Sequence, residues 1–549
     1  MHPGHPARVI GVTLALALNA CGALAPDHVT VGADNVAASG SAGFSSGFGG
    51  DIGMGTGGGS GVGKGGAGFG GGGGGGVGPG GGAGGKASAS SAGTGGSSGA
   101  TMPTAGAAGT VPPECIGAAS LDGDMQVYAG SATGGLVSNV SGNLTIYATT
   151  NGLAELRCLE TVHGKLDIKL GSGNLDALGR LRSVGGGLTI EGNKTIRDLS
   201  AFSSLTVIGN YLTLQGNSAL VELTGLEGVS QLFDVNISQN ASLQNLDALS
   251  HATGRGDTIY IVQNAALVSL AGLHGLPKAQ SLTISNNPLL HDLTGLEGLT
   301  EVTGDVVIAS NAALVSVAGL GGVKAIYGLS LHDNPKLESI DALAPSLTSL
   351  QTFELGDSPL LSSVEGLRSI KSLDSLDINA AGVTTLNGLS NLEAIGALSI
   401  SDTKIKDLTG LGKALIASGL VVERNAALES LAGLSPDNHD LATVSIRNNP
   451  KLQDLSGLEM LHSLSEQLTL ESNGKLASLT GLENLTTVQS ISVSDHPVLT
   501  SLAPLAGLQT VAGDVTFTQN PKLSRCEIQQ LVTRCGAPSS LLQNNGPCN

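Results

Sequence analysis

Three carboxylates recur at nearly regular intervals in the second half of this chain: Glu354, Asp377 and Asp402. Asp357 and the pair His332-Asp333 lie close to them in sequence. If the chain coils on itself with a period matching those intervals, these side chains come to lie on neighbouring turns. Adjacent carboxylates can divide general-acid and general-base roles, because each raises the other's affinity for a proton. They can equally hold a divalent cation, a cationic protein surface or a polysaccharide. Glu423, Arg424 and Arg447 follow, placing a basic edge beside the acidic patch. The alternative is a plain solvated face on an acidic protein, since the formal net charge is −18.

Catalysis is the weakest of these readings. Carboxylates on successive β-helix turns can cleave polysaccharides, but no unit here carries a long loop to form a cleft, and aromatic platforms for sugars are missing. No enzyme activity and no cofactor are expected. Other motifs carry less. Arg255-Gly256-Asp257 matches the integrin-binding tripeptide but precedes a strand and reads as chance. Gly63-Lys64 and Gly85-Lys86 end glycine runs like phosphate loops, yet neither Lys is followed by Ser or Thr. Sequons such as Asn143-Leu144-Thr145 fall within strands.

The elements that would position the carboxylates form one repeat, copied about seventeen times. Apolar-x-apolar triplets begin at Leu144, Leu166, Leu188 and Leu212 and continue to Val515, 22 to 24 residues apart. Period two sends the flanking side chains inward and the middle one outward. Three residues after most triplets stands an Asn, as at Asn193, Asn217, Asn240, Asn264 and Asn287. A primary amide carries donors and an acceptor, so a column of them can satisfy backbone groups freed where the chain turns a corner. Ser358, Ala381, Thr403 and His496 interrupt that column. Inward leucines and a Gly-Leu pair such as Gly295-Leu296 complete the unit. One unit cannot bury its own apolar face; stacking buries a continuous aliphatic core. Seventeen strands at about 4.8 Å make a rod or shallow arc roughly 80 Å long.

The consensus L-x-I-x-x-N-x-x-L-x-x-L-x-G-L resembles a leucine-rich repeat. The junction V-x-G-x-L-x-I, as in Val184-Gly185-Gly186-Gly187-Leu188-Thr189-Ile190, is similar more narrowly to the receptor L-domain variety. The likeness covers about residues 115–525. It implies a β-rich, right-handed solenoid and is weak for function, because the fold is a scaffold for grafted sites. It also implies end caps closed by disulfides. Cys115 and Cys158 bracket the first turns and Cys526, Cys535 and Cys548 follow the last. The resemblance-based pairing joins Cys115 to Cys158, and Cys526 to Cys535 or Cys548. One of the five remains unpaired if Cys21 is lipidated. Glu527–Arg534 reads as a short amphipathic capping helix ended by Cys535-Gly536. The absence of Cys-x-x-Cys argues against zinc at these cysteines.

The first twenty residues read as an export signal: one positive charge, then an apolar stretch at Val9–Leu18. Leu18-Asn19-Ala20-Cys21 resembles a lipoprotein signal in which Cys21 becomes the acylated first residue, although Asn19 departs from the pattern. Ala23-Leu24-Ala25 offers a competing cleavage, followed unfavourably by Pro26. Gly22 after the Cys implies an outer-membrane destination. Residues 21–110 are dominated by Gly, Ser and Ala and read as a disordered tether. Its glycine-rich part has a reach of roughly 40–50 Å. Residues 111–160 would form the N-terminal cap and first repeats, 161–525 the solenoid, and 526–549 the C-terminal cap.

Composition narrows the partners. The chain has 549 residues with 84 Gly, no Trp, 5 Tyr and 7 Phe. Without stacking rings or a basic footprint, nucleic acid is not an expected partner. No apolar run reaches the roughly 18–20 residues needed to span a bilayer. The expected function is surface recognition or adhesion, binding an extracellular protein or polysaccharide through a solenoid face. The site residues would be His332, Asp333, Glu354, Asp357, Asp377, Asp402, Arg424 and Arg447. A structural envelope role is second, and a carbohydrate-active enzyme a distant third.

Overall fold

The structure is a computed structural model, described here for residues 111–128, 134–147, 153–169 and 171–548. The export signal, Cys21 and the glycine-rich tether lie outside the described residues. Each apolar triplet is a strand whose first and last side chains are buried, as at Leu212 and Leu214, with Thr213 partly exposed between them. The strands pair in parallel and in sequence order. Leu212–Leu214 aligns with Leu188–Ile190 on one side and with Val235–Ile237 on the other. One further strand lies at each end, Met125–Val127 and Ser539–Gln543, so among the described residues the ladder holds nineteen turns.

The first five turns carry a second small parallel sheet, including Thr161–Val162, Ser183–Val184 and Val207–Ile208. From Arg255–Val262 onward the two segments of most turns merge into single strands of eight or nine residues, several with a register shift at the junction. That junction is the V-x-G step. At Gly209 an added Cβ would stand 1.9 Å from the Gly185 carbonyl oxygen, so adjacent turns approach there as only glycine allows.

The corner after each strand is built by the asparagines. Asn217 donates its backbone N–H to Asn240 Oδ1 of the next turn (3.0 Å) and its Nδ2 to the Ile190 carbonyl of the preceding one (2.9 Å). Asn240 repeats this with Asn264 Oδ1 (3.1 Å) and the Leu214 carbonyl (2.8 Å). Both amides are buried, so each of these turns is tied to the two beside it. The residue before the Asn sits in the left-handed region in turn after turn, including Gln239 (φ 58°), Ser310 (φ 55°) and Arg424 (φ 56°). Such a backbone costs a non-glycine residue roughly 1–2 kcal/mol. It persists because the same residue's N–H donates to the next strand, as Gln239 does to the Val262 carbonyl (2.9 Å).

Opposite the ladder, short 3₁₀ turns such as Asp247–Leu249, Ala271–Leu273 and Glu365–Leu367 stack. The Gly-Leu pair answers to this side. Gly295 has φ 111°, and an added Cβ would lie 2.0 Å from the Leu270 carbonyl oxygen. Gly295→Ala is therefore expected to lower stability by about 1–3 kcal/mol, read as a reduced midpoint in urea unfolding.

The ends are sealed differently. Cys115–Cys158 forms a disulfide at the start, and Cys526–Cys548 at the finish. Cys535 is a buried free thiol that donates to the Leu508 carbonyl (3.3 Å). It belongs to helix α1 (Arg525–Cys535), which buries Ile528 and Leu531 against the last turn and ends at left-handed Gly536. Glu527 Oε1 accepts from Leu502 N–H (2.6 Å), and Arg534 Nη2 donates to the Leu505 carbonyl (2.6 Å). The helix thus satisfies polar groups of the last turn as well as covering its core. No helix among the described residues is long and apolar enough to cross a membrane.

Candidate functional site

The ladder resolves the eight candidate residues into three parallel columns. Ser330, Glu354, Asp377 and Ser399 align in the outward, mid-strand column. The next column runs Asn379, Ser401, Glu423, Arg447 and Glu471; His332 ends its strand at the equivalent place. Asp333, Asp357, Asp402 and Arg424 fall in the left-handed corner column, with φ between 42° and 56°. Asp tolerates that backbone better than most residues. Three of the aspartates thus have a conformational reason for their type, independent of any ligand.

Two groups emerge along these columns. Towards the C-terminus the charges neutralise one another. Arg424 Nε meets Asp402 Oδ2 at 2.7 Å and its Nη1 meets Glu423 Oε2 at 3.0 Å. Arg447 Nε lies 3.6 Å from Glu423 Oε1 and 3.7 Å from Glu471 Oε2. Ser445 Oγ also donates to Glu423 Oε1 (3.0 Å). The Asp402 carboxylate, through its hydrogen bond, raises the pKa of Arg424 above its ordinary value. The basic edge foreseen beside an acidic patch is therefore spent on internal pairing.

Glu354 and Asp377 behave differently. They stand in register on adjacent strands, and no Lys or Arg pairs with either among the described residues. Asp377 is half-buried and its Oδ1 has no hydrogen-bond partner. Burial foremost raises its pKa; the Ser399 hydroxyl opposes this and the Glu354 charge adds to it. His332, whose Nδ1 lies 3.0 Å from Asp333 Oδ2, shares an open depression with Glu354, Ser330 and Tyr327. The carboxylate pair also coincides with an irregular stretch of the corner. Ser358, Ala381 and Thr403 replace the Asn on three consecutive turns. At Ala381 and Thr403 the next inward apolar side chain, Val383 or Ile405, follows after two positions instead of three. The corner is one residue shorter there, with fewer backbone groups to satisfy.

Three features escaped the sequence reading. A larger concavity is lined by Arg255, Asp257, Lys278, Gln280, Glu301 and Thr303. Its charges are paired, with Lys278 Nζ 2.7 Å from Glu301 Oε2 and Arg255 Nε 3.7 Å from Asp257 Oδ1. The integrin-like tripeptide opens a strand, with its two exposed charges near each other. Second, Tyr128 and Tyr147 are exposed and stack with ring centres 5.1 Å apart. The expectation that aromatic surfaces are missing fails at this end. They follow successive triplets, which was the available signal. Third, His439 and His462 approach each other on adjacent turns.

The ladder of parallel strands, the buried amide column and the aliphatic core define a leucine-rich-repeat solenoid. No protein-family model matches the chain, and no curated protein matches it. Solved structures do. An internalin of Listeria monocytogenes aligns at 20% identity over 62% of this chain and 87% of its own, with a TM-score of 0.31. A Leptospira interrogans leucine-rich-repeat protein aligns at 18% identity over 70% and 91%, also at 0.31. A leucine-rich-repeat protein of Bacteroides eggerthii aligns at 11% identity over 74% and 70%, at 0.29.

Proposed function

We propose that this chain is an exported, lipid-anchored recognition or adhesion module of a bacterial surface. It binds an extracellular protein or glycan through the outward face of its sheet and performs no catalysis. The observation that carries the reading is the Glu354–Asp377 pair, two in-register carboxylates left without a cationic partner while the charges around Arg424 and Arg447 are matched. A rigid parallel sheet holds them in place, so little side-chain or loop ordering is paid on binding. His332, Asp333 and Asp357 would border a ligand on one side, and Asp402, Arg424 and Arg447 on the other. Export agrees with the two disulfides, which persist in oxidising compartments. Acylation at Cys21 and a glycine-rich tether would hold the solenoid away from the membrane.

The test is retention of the protein on envelope fractions and purified surface polysaccharides, with released product assayed in the same samples. Saturable retention without product is expected, and Glu354→Lys with Asp377→Lys should weaken it at least ~100-fold, as loss of a central charged pair does. Because burial raises the Asp377 pKa, binding should weaken on acidification at a higher pH than an ordinary aspartate would give. Retention unaffected by the double charge reversal would place the binding surface elsewhere. Product release would make the carboxylates catalytic, and a lack of saturable retention would favour a structural envelope role.

A further inference from the structure

At the other end of the strands, His439 directly precedes Asp440–Arg447, and His462 directly precedes Ser463–Glu471. Asp440 pairs in register with Ser463, so the histidines stand side by side on adjacent turns. The His462 N–H donates to the His439 carbonyl (2.6 Å), which holds the two backbones together. The rings lie with centres 5.2 Å apart and planes at 47°. An imidazole nitrogen bonds zinc at about 2.0–2.1 Å, and two such ligands at a tetrahedral angle put their ring centres about 5.2 Å apart.

The tautomer is set as well. His439 Nδ1 lies 3.1 Å from the Met460 carbonyl oxygen, an acceptor only, so in the neutral ring Nδ1 carries the hydrogen and Nε2 has the lone pair. A backbone carbonyl on the far nitrogen is how metal-binding histidines are oriented. Among the described residues the His462 ring has no hydrogen-bond partner, so either nitrogen of the neutral ring can present its lone pair to a metal. Asp440, held by Ser463 Oγ at 2.6 Å, adds a nearby negative charge. His439 is half-buried and His462 exposed, so solvent reaches the pair.

We propose that His439 and His462 form a two-histidine site for a divalent transition metal, zinc in the first instance, completed by water. No group of three or more His, Cys, Asp or Glu side chains converges on a metal position among the described residues. Open coordination positions are thus part of the site. It is independent of the carboxylate pair, which occupies other turns and the opposite part of the strands.

The test is residue-resolved modification of the full chain by diethyl pyrocarbonate, with and without zinc chloride, read by peptide mass spectrometry. Zinc at about 0.1 mM should slow carbethoxylation of both His439 and His462 at least roughly fivefold, while His274 and His291 react unchanged and report an intact fold. In His462→Gln the protection of His439 should vanish, and in His439→Gln that of His462, because neither ring alone holds the ion at that concentration. Equal rates with and without zinc at either histidine would overturn the site. So would protection of His439 that survives in His462→Gln.

Discussion

Asn264→Ala is expected to destabilise the middle of the solenoid by about 3–5 kcal/mol, since two or more buried groups lose their partners at about 1–3 kcal/mol each. Asn264 Oδ1 accepts from Asn240 N–H (3.1 Å) and Asn240 Nδ2 (3.2 Å), while its own Nδ2 donates to the Ile237 carbonyl (2.8 Å). Alanine leaves that N–H and that carbonyl buried and unsatisfied. Water cannot readily substitute, because Asn240, Asn264 and Asn287 are each 0% exposed. In a stacked array each turn contacts only its neighbours, so the damage should be local. Hydrogen exchange should therefore show protection lost by about 100-fold or more across the strands Asp234–Ser238, Arg255–Val262 and Lys278–Ser285, with distant turns little changed. A change below about 1 kcal/mol, or one spread evenly along the chain, would mean the amide column is not what holds the turns together.

Acidification should destabilise the C-terminal turns through His496, which takes a place in the same column. Its N–H donates to Asn520 Oδ1 (3.1 Å), and Asn473 Nδ2 approaches its Nε2 at 3.4 Å. The side chain is fully buried, and Nδ1 has no partner. Burial pushes its pKa down to about 4 from the ordinary 6.5. The folded state therefore binds this proton more weakly than the unfolded chain does. Stability from the neutral ring is complete above pH 6.5 and is lost as pH falls towards 4, at about 1.4 kcal/mol per pH unit and about 3 kcal/mol in all. Below that pH both states are protonated and the loss levels off. Exchange protection of Thr487–Ser494 and Asp514–Thr518 measured at pH 7 and pH 4.5 reads the effect directly. His496→Asn restores the usual residue and should flatten the dependence; an unchanged slope in that variant would assign it to other groups.

Both expectations concern positions legible as a column before any coordinates. The Asn spacing announced a corner, and its four exceptions were visible as departures. What the amide does was only half legible. Its need for partners follows from its chemistry, but its bonds reach residues about 23 to 27 positions away on both sides, such as Asn240 and Ile190 for Asn217. Only the stacking register supplies those. The left-handed residue before each Asn was not legible, because Gln, Ser and Arg occupy it as well as Asp, Asn and Gly. The next strand's carbonyl stabilises that backbone, so the local sequence need not encode it in glycine. The candidate site shows the same division. Glu354 and Asp377 were correctly placed as neighbours by their common offset from successive triplets. Arg424 and Arg447 read as a free basic edge, because the register that brings Asp402 beside Arg424, and Glu423 and Glu471 beside Arg447, one turn away in the same column, is set only by stacking.

By itself, then, the sequence determined the repeat, the inward and outward faces, and the aliphatic core, because period-two strands at a constant interval admit one way of burying their leucines. It also determined that the ends need caps, since a stack of such units exposes apolar surface wherever it stops. Tertiary structure decided which charges are spent and which are available. Whether a carboxylate is neutralised depends on a side chain one turn away and a few ångströms to the side, and strand register sets that distance. It decided likewise that Cys526 pairs with Cys548 while Cys535 turns inward from α1. It also brought the His439 and His462 rings side by side, 5.2 Å apart at their centres, because each precedes a strand paired in register with the other's.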